Sequence, residues 1–169
     1  ADNPVGAVNY SNQLFKLYKM SETHWKIANF VPTAEEPRGL PLDDGSNPRQ
    51  NQPVMLSSYW NEPSADNYWN QLFDFLPVPG RANQFKIKRH EAFVDTWGGG
   101  GHGQAVKFSE RDNARDSEDF ENQVWEIVIV ETFGAQFADH SNLKDHVLCK
   151  LRNRGRYYLD NYGNPNHGT

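Results

Sequence analysis

One cysteine, Cys149, stands in 169 residues, which excludes an intramolecular disulfide framework and any cysteine-based zinc finger. Basic charge is scarce. Seventeen Lys+Arg against 22 Asp+Glu leave a formal net charge of −5, so a basic nucleic-acid groove or an anionic-membrane surface is excluded as the main business. No run of 18 apolar residues occurs, and no transmembrane segment is expected. The chain opens Ala1-Asp2-Asn3-Pro4 with neither Met nor a signal peptide, as a soluble, processed chain would. The single Cys suits a cytosolic or non-classically exported protein better than a disulfide-rich secreted one.

Enzyme signatures are missing too. There is no Gly-x-Ser-x-Gly, and one strand-embedded Cys reads as core rather than nucleophile. Gly98-Gly99-Gly100-Gly101-His102-Gly103 is followed by Gln104-Ala105 instead of Lys-Ser/Thr, so it fails the spacing of a phosphate cradle and reads as a loop. The six histidines, at 24, 90, 102, 140, 146 and 167, form no His-x-x-x-His pair. No metal, no cofactor and no catalysis are expected. Asn9-Tyr10-Ser11 fits an N-glycosylation sequon, a three-residue match common by chance.

What is present is an apolar, aromatic-rich chain of single-domain length, with 37% hydrophobic and 13% aromatic residues. The aromatics fall in period-two runs such as Phe85-Lys86-Ile87-Lys88 and Trp125-Glu126-Ile127-Val128-Ile129, the pattern of half-buried strands. Turn-rich stretches holding most of the 13 Gly and 10 Pro separate them. The one helix-like stretch, near Gln136 to Leu143, has no sustained 3.6-residue stripe and reads as a loop. Arg111 to Asp119 reads as a solvated, mixed-charge hairpin tip, and His90-Glu91 after Lys88-Arg89 as a solvated strand end.

The runs repeat. Asn12-Gln13-Leu14-Phe15, Asn70-Gln71-Leu72-Phe73 and Asn122-Gln123-Val124-Trp125 are one four-residue word in three copies, each opening a strand. A second word, the Lys word, reads Trp25-Lys26-Ile27-Ala28-Asn29, Phe85-Lys86-Ile87-Lys88-Arg89 and Cys149-Lys150-Leu151-Arg152-Asn153. A third reads Leu42-Asp43, Val94-Asp95 and Leu159-Asp160. The fourth is Pro53-Val54-Met55-Leu56, Gln104-Ala105-Val106-Lys107-Phe108 and, more weakly, Pro4-Val5-Gly6-Ala7-Val8. Four strand words in three copies make twelve strands. The third copy is split, with its first half at the C-terminus and its second half at the N-terminus. The repeats cover approximately residues 21–80, 81–140, and 141–169 joined to 1–20. This order resembles a circular permutation, a processed precursor or a half-repeat exchanged between subunits, and it places the two chain ends close together.

Twelve short strands in three units resemble a β-trefoil, and Gln-x-Trp in each unit resembles the ricin-B-type lectin family. Two copies carry Phe where the family has Trp, a swap between large apolar rings. The resemblance implies an all-β trefoil over 1–169 that binds glycans or glycoproteins without catalysis. In that family an Asp accepts sugar hydroxyls, an aromatic stacks on the sugar and the Asn of the Gln word completes the clamp. The matching positions are Asp43, Asn70 and Gln71; Asp95, Asn122 and Gln123; and Asp160, Asn12 and Gln13. The family's third-strand aromatic is replaced by Ser57, Ser109 and Val8, with other rings nearby: Tyr59 and Trp60, Trp97 and His102, and Tyr10, Tyr162 and His167. The Asp95 pocket, with Trp97 and His102, is expected to be best preserved. Two alternatives stand beside the lectin: a lectin-like non-catalytic subunit of a larger complex or homodimer with decayed sites, and a β-trefoil protease inhibitor acting through the loops at 32–39 and 57–69. Each Asp has a Gly within a few residues and also suits a simple Asx turn, while the glutamines suit a role in satisfying backbone groups.

Overall fold

A computed structural model describes residues 4–6, 10–30, 38–46, 48–98, 104–130, 146–153 and 157–160. Eleven strands appear among them, and no α-helix: β1 (Phe15–Lys19), β2 (His24–Asn29), β3 (Leu40–Asp43), β4 (Met55–Leu56), β5 (Phe73–Pro77), β6 (Gln84–Arg89), β7 (Ala92–Asp95), β8 (Lys107–Ser109), β9 (Val124–Ile129), β10 (His146–Asn153) and β11 (Tyr157–Tyr158). Six of them close an antiparallel barrel. β1 pairs with β2, β2 with β5, β5 with β6, β6 with β9, β9 with β10, and β10 returns to β1. Closure removes the exposed edges of an open sheet.

The remaining strands leave the barrel at three equivalent places, where β3 pairs with β2, β7 with β6 and β11 with β10. Two of these continue into hairpins, β3–β4 and β7–β8. The result is a trefoil-like all-β fold whose threefold character shows in its register. Phe73 faces Trp25, Trp125 faces Phe85, and Phe15 faces Cys149. In each pair the ring of the Gln word meets the first residue of the Lys word.

Those residues form the core. Phe15, Phe73 and Trp125 are buried, as are Leu17 and Ile127, while Phe75 packs against the core only partly covered. Phe73 stacks on Phe108 with ring centroids 6.5 Å apart. Trp125 brings one polar atom inside, and its Nε1 donates to the Val94 carbonyl at 3.0 Å, which removes the penalty of an unpaired buried donor. Cys149 is fully buried, and burial pushes its thiol pKa up, away from reactivity.

Three details depart from the expectation. The Gln words do not open strands: each closes a short 3₁₀ turn (Tyr10–Gln13, Tyr68–Gln71, Phe120–Gln123), and the strand begins just after. The turn brings the Gln side chain inward where an alternating strand would not. Among the described residues eleven strands are found, and residues 5 and 6, placed in the weakest strand word, lie in a turn, while residues 7 and 8 of that word lie outside the described residues. Arg89 is buried rather than solvated. The stretch at 136–143, the chain ends and residues 99–103 lie outside the described residues.

Arg89 marks where the symmetry is broken. In two repeats the last residue of the Lys word is a buried Asn that ties a neighbouring turn. Asn29 Nδ2 donates to the Asn12 and Leu14 carbonyls (3.1 and 3.0 Å), and Asn153 Nδ2 to the Asn122 and Val124 carbonyls (3.3 and 2.7 Å). Arg89 holds that place in the other repeat and forms an ion pair with Asp44, Nε to Oδ2 at 2.7 Å, both side chains buried. The position of Asp44 is taken in the next repeat by Thr96, whose hydroxyl lies 3.3 Å from Asn153 Oδ1. One seam is therefore neutral and one charged. Burial raises the Asp44 carboxyl, opposed by the Ser46 N–H and by Arg89, and burial lowers Arg89.

Two stability outcomes follow. Trp125→Ala should cost about 3–5 kcal/mol in denaturant unfolding. Arg89→Asn should cost about 3–5 kcal/mol by stranding a buried carboxylate, while adding Asp44→Thr should restore most of it, because the pair then copies Asn153 and Thr96. A folded-state pKa that is raised means that Asp44 supports the fold below its unfolded pKa and that this support is lost as pH rises through the folded value. The double variant should therefore compare better with the parent at neutral pH than in acid.

Candidate functional site

The 3₁₀ turns bring together residues far apart in sequence. Gln71 Nε2 donates to Asp43 Oδ2, Gln123 Nε2 to Asp95 Oδ2, and Gln13 Nε2 to Asp160 Oδ2, each at 3.0 Å. The last bond joins residues 147 apart in the chain, so the N-terminal Gln word and the C-terminal Asp meet as the contiguous repeats do. All three glutamines are buried.

The amide is satisfied on both sides. Gln71 Oε1 accepts from the Asn61 N–H at 2.9 Å and Gln71 Nε2 also donates to the Tyr59 carbonyl at 2.7 Å. Gln123 repeats this with the Asn113 N–H (2.9 Å) and the Arg111 carbonyl (2.7 Å). Asn61 and Asn113 in turn donate to the Asn67 and Asp119 carbonyls, both at 2.8 Å. The stretch from Arg111 to Asp119 is mostly exposed, as expected, and is pinned at its one buried residue, Asn113.

Beneath each loop lies a buried lysine that period-two reading assigned to solvent. Lys26 Nζ donates to the Asn61 carbonyl (2.5 Å) and Gln71 Oε1 (3.2 Å), and lies 4.4 Å from the Trp60 ring centre and 4.9 Å from that of Tyr68. Lys86 donates to the Asn113 carbonyl at 2.7 Å, pairs with Asp112 and lies 4.8 Å from the Phe120 ring. Lys150 sits 4.5 Å from the Tyr10 ring and 5.3 Å from Tyr158. A buried ammonium needs carbonyl and π partners, and the loops folded over the barrel supply them. The signal was present as a Lys at the same place in each second word.

Asp43 and Asp95 also close Asx turns. Asp43 Oδ1 accepts from the Gly45 N–H at 2.8 Å and Asp95 Oδ1 from the Trp97 N–H at 2.6 Å. Gly45 has φ +66° and its counterpart Trp97 has φ +47°, so the left-handed step is taken by glycine in one repeat and by a bulky ring in the next.

The first two pockets differ in what they leave unspent. A carboxylate has about four acceptor positions. Asp43 uses two, for Gly45 and Gln71. Asp95 uses three, because Asn113 Nδ2 adds a bond at 3.3 Å. Asn70 is half-buried, with one 3.4 Å bond from Nδ2 to Ser46 Oγ. Asn122 is buried, its Nδ2 given to Asp119 Oδ1 at 3.1 Å, and its Oδ1 has no hydrogen-bond partner. Of the rings, Trp60 is held between Lys26 and Arg38, whose guanidinium lies 4.5 Å from its centre. Tyr59 is 77% exposed and Trp97 40%. Asn12 offers its carbonyl to Asn29. His102, Tyr162 and His167 lie outside the described residues, and among the described residues no three His, Cys, Asp or Glu side chains converge to hold a metal.

No family model matches the chain, and no curated protein does. Among solved structures, a designed threefold symmetric protein, ThreeFoil, is similar over 66% of this chain and 69% of its own, at 16% identity and a TM-score of 0.45.

Proposed function

We propose that the protein is a non-catalytic carbohydrate-binding protein of the ricin-B-like, twelve-stranded trefoil type, with its third repeat split between the chain ends, and that its first-repeat pocket is the principal site. The observation that carries this is the Asp43 carboxylate. It is held from behind by Gln71 and by the Gly45 N–H and keeps two acceptor positions unspent; the same Gln71 amide also holds the carbonyl of the exposed Tyr59, and Asn70 precedes it in the turn with its own amide on Ser46. A carboxylate bonding two hydroxyls, an amide that donates and accepts, and a ring for the apolar sugar face are the elements of saccharide recognition. The second pocket is the poorer of the two, because Asp95 spends more of its capacity on the protein and Asn122 is buried. The split repeat is supported by the Gln13–Asp160 bond.

A second reading is a lectin-like subunit of a larger complex. It is favoured by the persistence of the Asp95–Gln123 bond where Asn122 is turned inward, since a pair that pins a turn is sufficient as structure. Protease inhibition through residues 57–69 draws no support from a loop whose Trp60 and Asn61 are committed inward.

A glycan array followed by calorimetry separates these. Asp43→Ala should lose about 1–3 kcal/mol of glycan affinity, with a smaller loss for Asp95→Ala. Affinity unchanged in Asp43→Ala removes the first-repeat pocket as the site. An array blank for the parent protein leaves the subunit reading, and inhibition of papain or trypsin would instead establish the inhibitor.

A further inference from the structure

Trp69 is the residue that the pocket does not use. It lies immediately before Asn70 in the second 3₁₀ turn and is 55% exposed. Its exposure is not that of a dangling ring. The indole meets the His24 ring edge-on with centroids 5.8 Å apart, and Tyr68 backs it from the other side, also at 5.8 Å. A large ring is thus held on the surface by two aromatic neighbours and left uncovered, which costs apolar exposure that folding alone does not require.

The groups around it are polar in a particular way. His24 on β2 and Asp74 on β5 face each other across the barrel strands, with Nε2 3.7 Å from Oδ1, each side chain about one-third exposed. Ser21 Oγ accepts the Thr23 and His24 backbone N–H groups (3.4 and 3.1 Å), which leaves its own hydroxyl proton for His24 Nδ1 at 3.0 Å. Thr23 Oγ1 also lies 3.0 Å from Nδ1, so two hydroxyls flank that nitrogen and Nε2 is the ring nitrogen toward Asp74. Asp74 Oδ1 is buried under that ring with no hydrogen-bond partner. The exposed part of the carboxylate is therefore the side that Oδ2 occupies, and no hydrogen bond from the described residues reaches it. Ring, imidazole and open carboxylate lie together, and Trp69 immediately precedes Asn70 in the turn.

We propose that Trp69, His24 and Asp74 form a second saccharide subsite contiguous with the Asp43 pocket, so that the ligand is an oligosaccharide of two or more units rather than a single sugar. One sugar occupies Asp43, Asn70 and Tyr59. The next lies on the Trp69 face and gives hydroxyls to Asp74. A sugar ring suits this surface because it has an apolar C–H face for the indole and hydroxyls at its rim for a carboxylate and an imidazole. The second repeat has no equivalent, since Glu121 stands where Trp69 does. The proposal rests on the carbohydrate reading of the first-repeat pocket.

Calorimetry with glucose, galactose, mannose and N-acetylglucosamine, and with their 1,4-linked di-, tri- and tetrasaccharides, tests it. For the sugar that binds, the parent protein should gain roughly tenfold in affinity from mono- to disaccharide, the size expected of one added ring contact. Trp69→Ala and Asp74→Asn should each abolish that gain while changing monosaccharide affinity less than about twofold, and Trp69→Phe should keep part of it. An equal affinity at every length in the parent, or a gain that survives Trp69→Ala, overturns the subsite. Asp43→Ala reads the pocket separately: a loss at every length sustains it, whereas a length-dependent gain that persists at full affinity leaves the subsite standing and removes the pocket. A parent protein that binds none of these sugars overturns both.

Discussion

The hydrogen bond from a buried glutamine amide to an aspartate carboxylate, made once in each repeat, is the contact on which the loops and pockets depend. A primary amide has two donors and an acceptor, and burying it obliges the surroundings to answer all of them. Gln71 answers with Asp43, the Tyr59 carbonyl and the Asn61 N–H, and so ties together the end of β3, the start of the 57–69 loop and the turn that feeds β5. Gln123 does the same between β7 and β9. The bond also holds the carboxylate in one orientation, so its remaining acceptor positions are set by a buried amide.

Around this shared frame the repeats diverge in what they expose. The buried lysines fasten the loops, and the same loop architecture then carries outward Tyr59 and Trp69 in one repeat and Arg111, Asp112 and Glu118 in another. Charge enters the same way at the seams, as an Asp44–Arg89 pair where a Thr96–Asn153 contact stands one repeat later. Neutral and ionic solutions to one packing problem coexist in one molecule because each is complete as a pair and costly as a half.

Much of the fold was legible because strand alternation and a repeated word are local signals. The closed barrel, the core rings Phe15, Phe73 and Trp125 and the core Cys149 have direct sequence counterparts, whereas the bond from each Gln to a distant Asp does not: the glutamines read as partners of backbone groups. The 3₁₀ turns were not legible, since a four-residue turn and the first residues of a strand share the composition Asn-Gln-Leu-Phe, and only the tertiary bond from Gln to Asp decides between them. Arg89 and the lysines were misplaced for a related reason. Period-two alternation tells one face of a strand from the other, but it does not tell whether a loop lies over the outer face.

By itself the sequence determined an all-β chain with three copies of a strand pattern, one of them divided between its ends, because hydrophobic period and repeated words are properties of neighbouring residues. The tertiary structure decided which polar groups remain available. Whether a carboxylate such as Asp43 or Asp95 is spent depends on loops contributed from 18 to 28 residues away, and whether a ring such as Trp60 or Trp69 is committed depends on the cations and strands that happen to pack beneath it. Burial and hydrogen-bond capacity are settled by what comes close in space, and spacing along the chain does not contain that information.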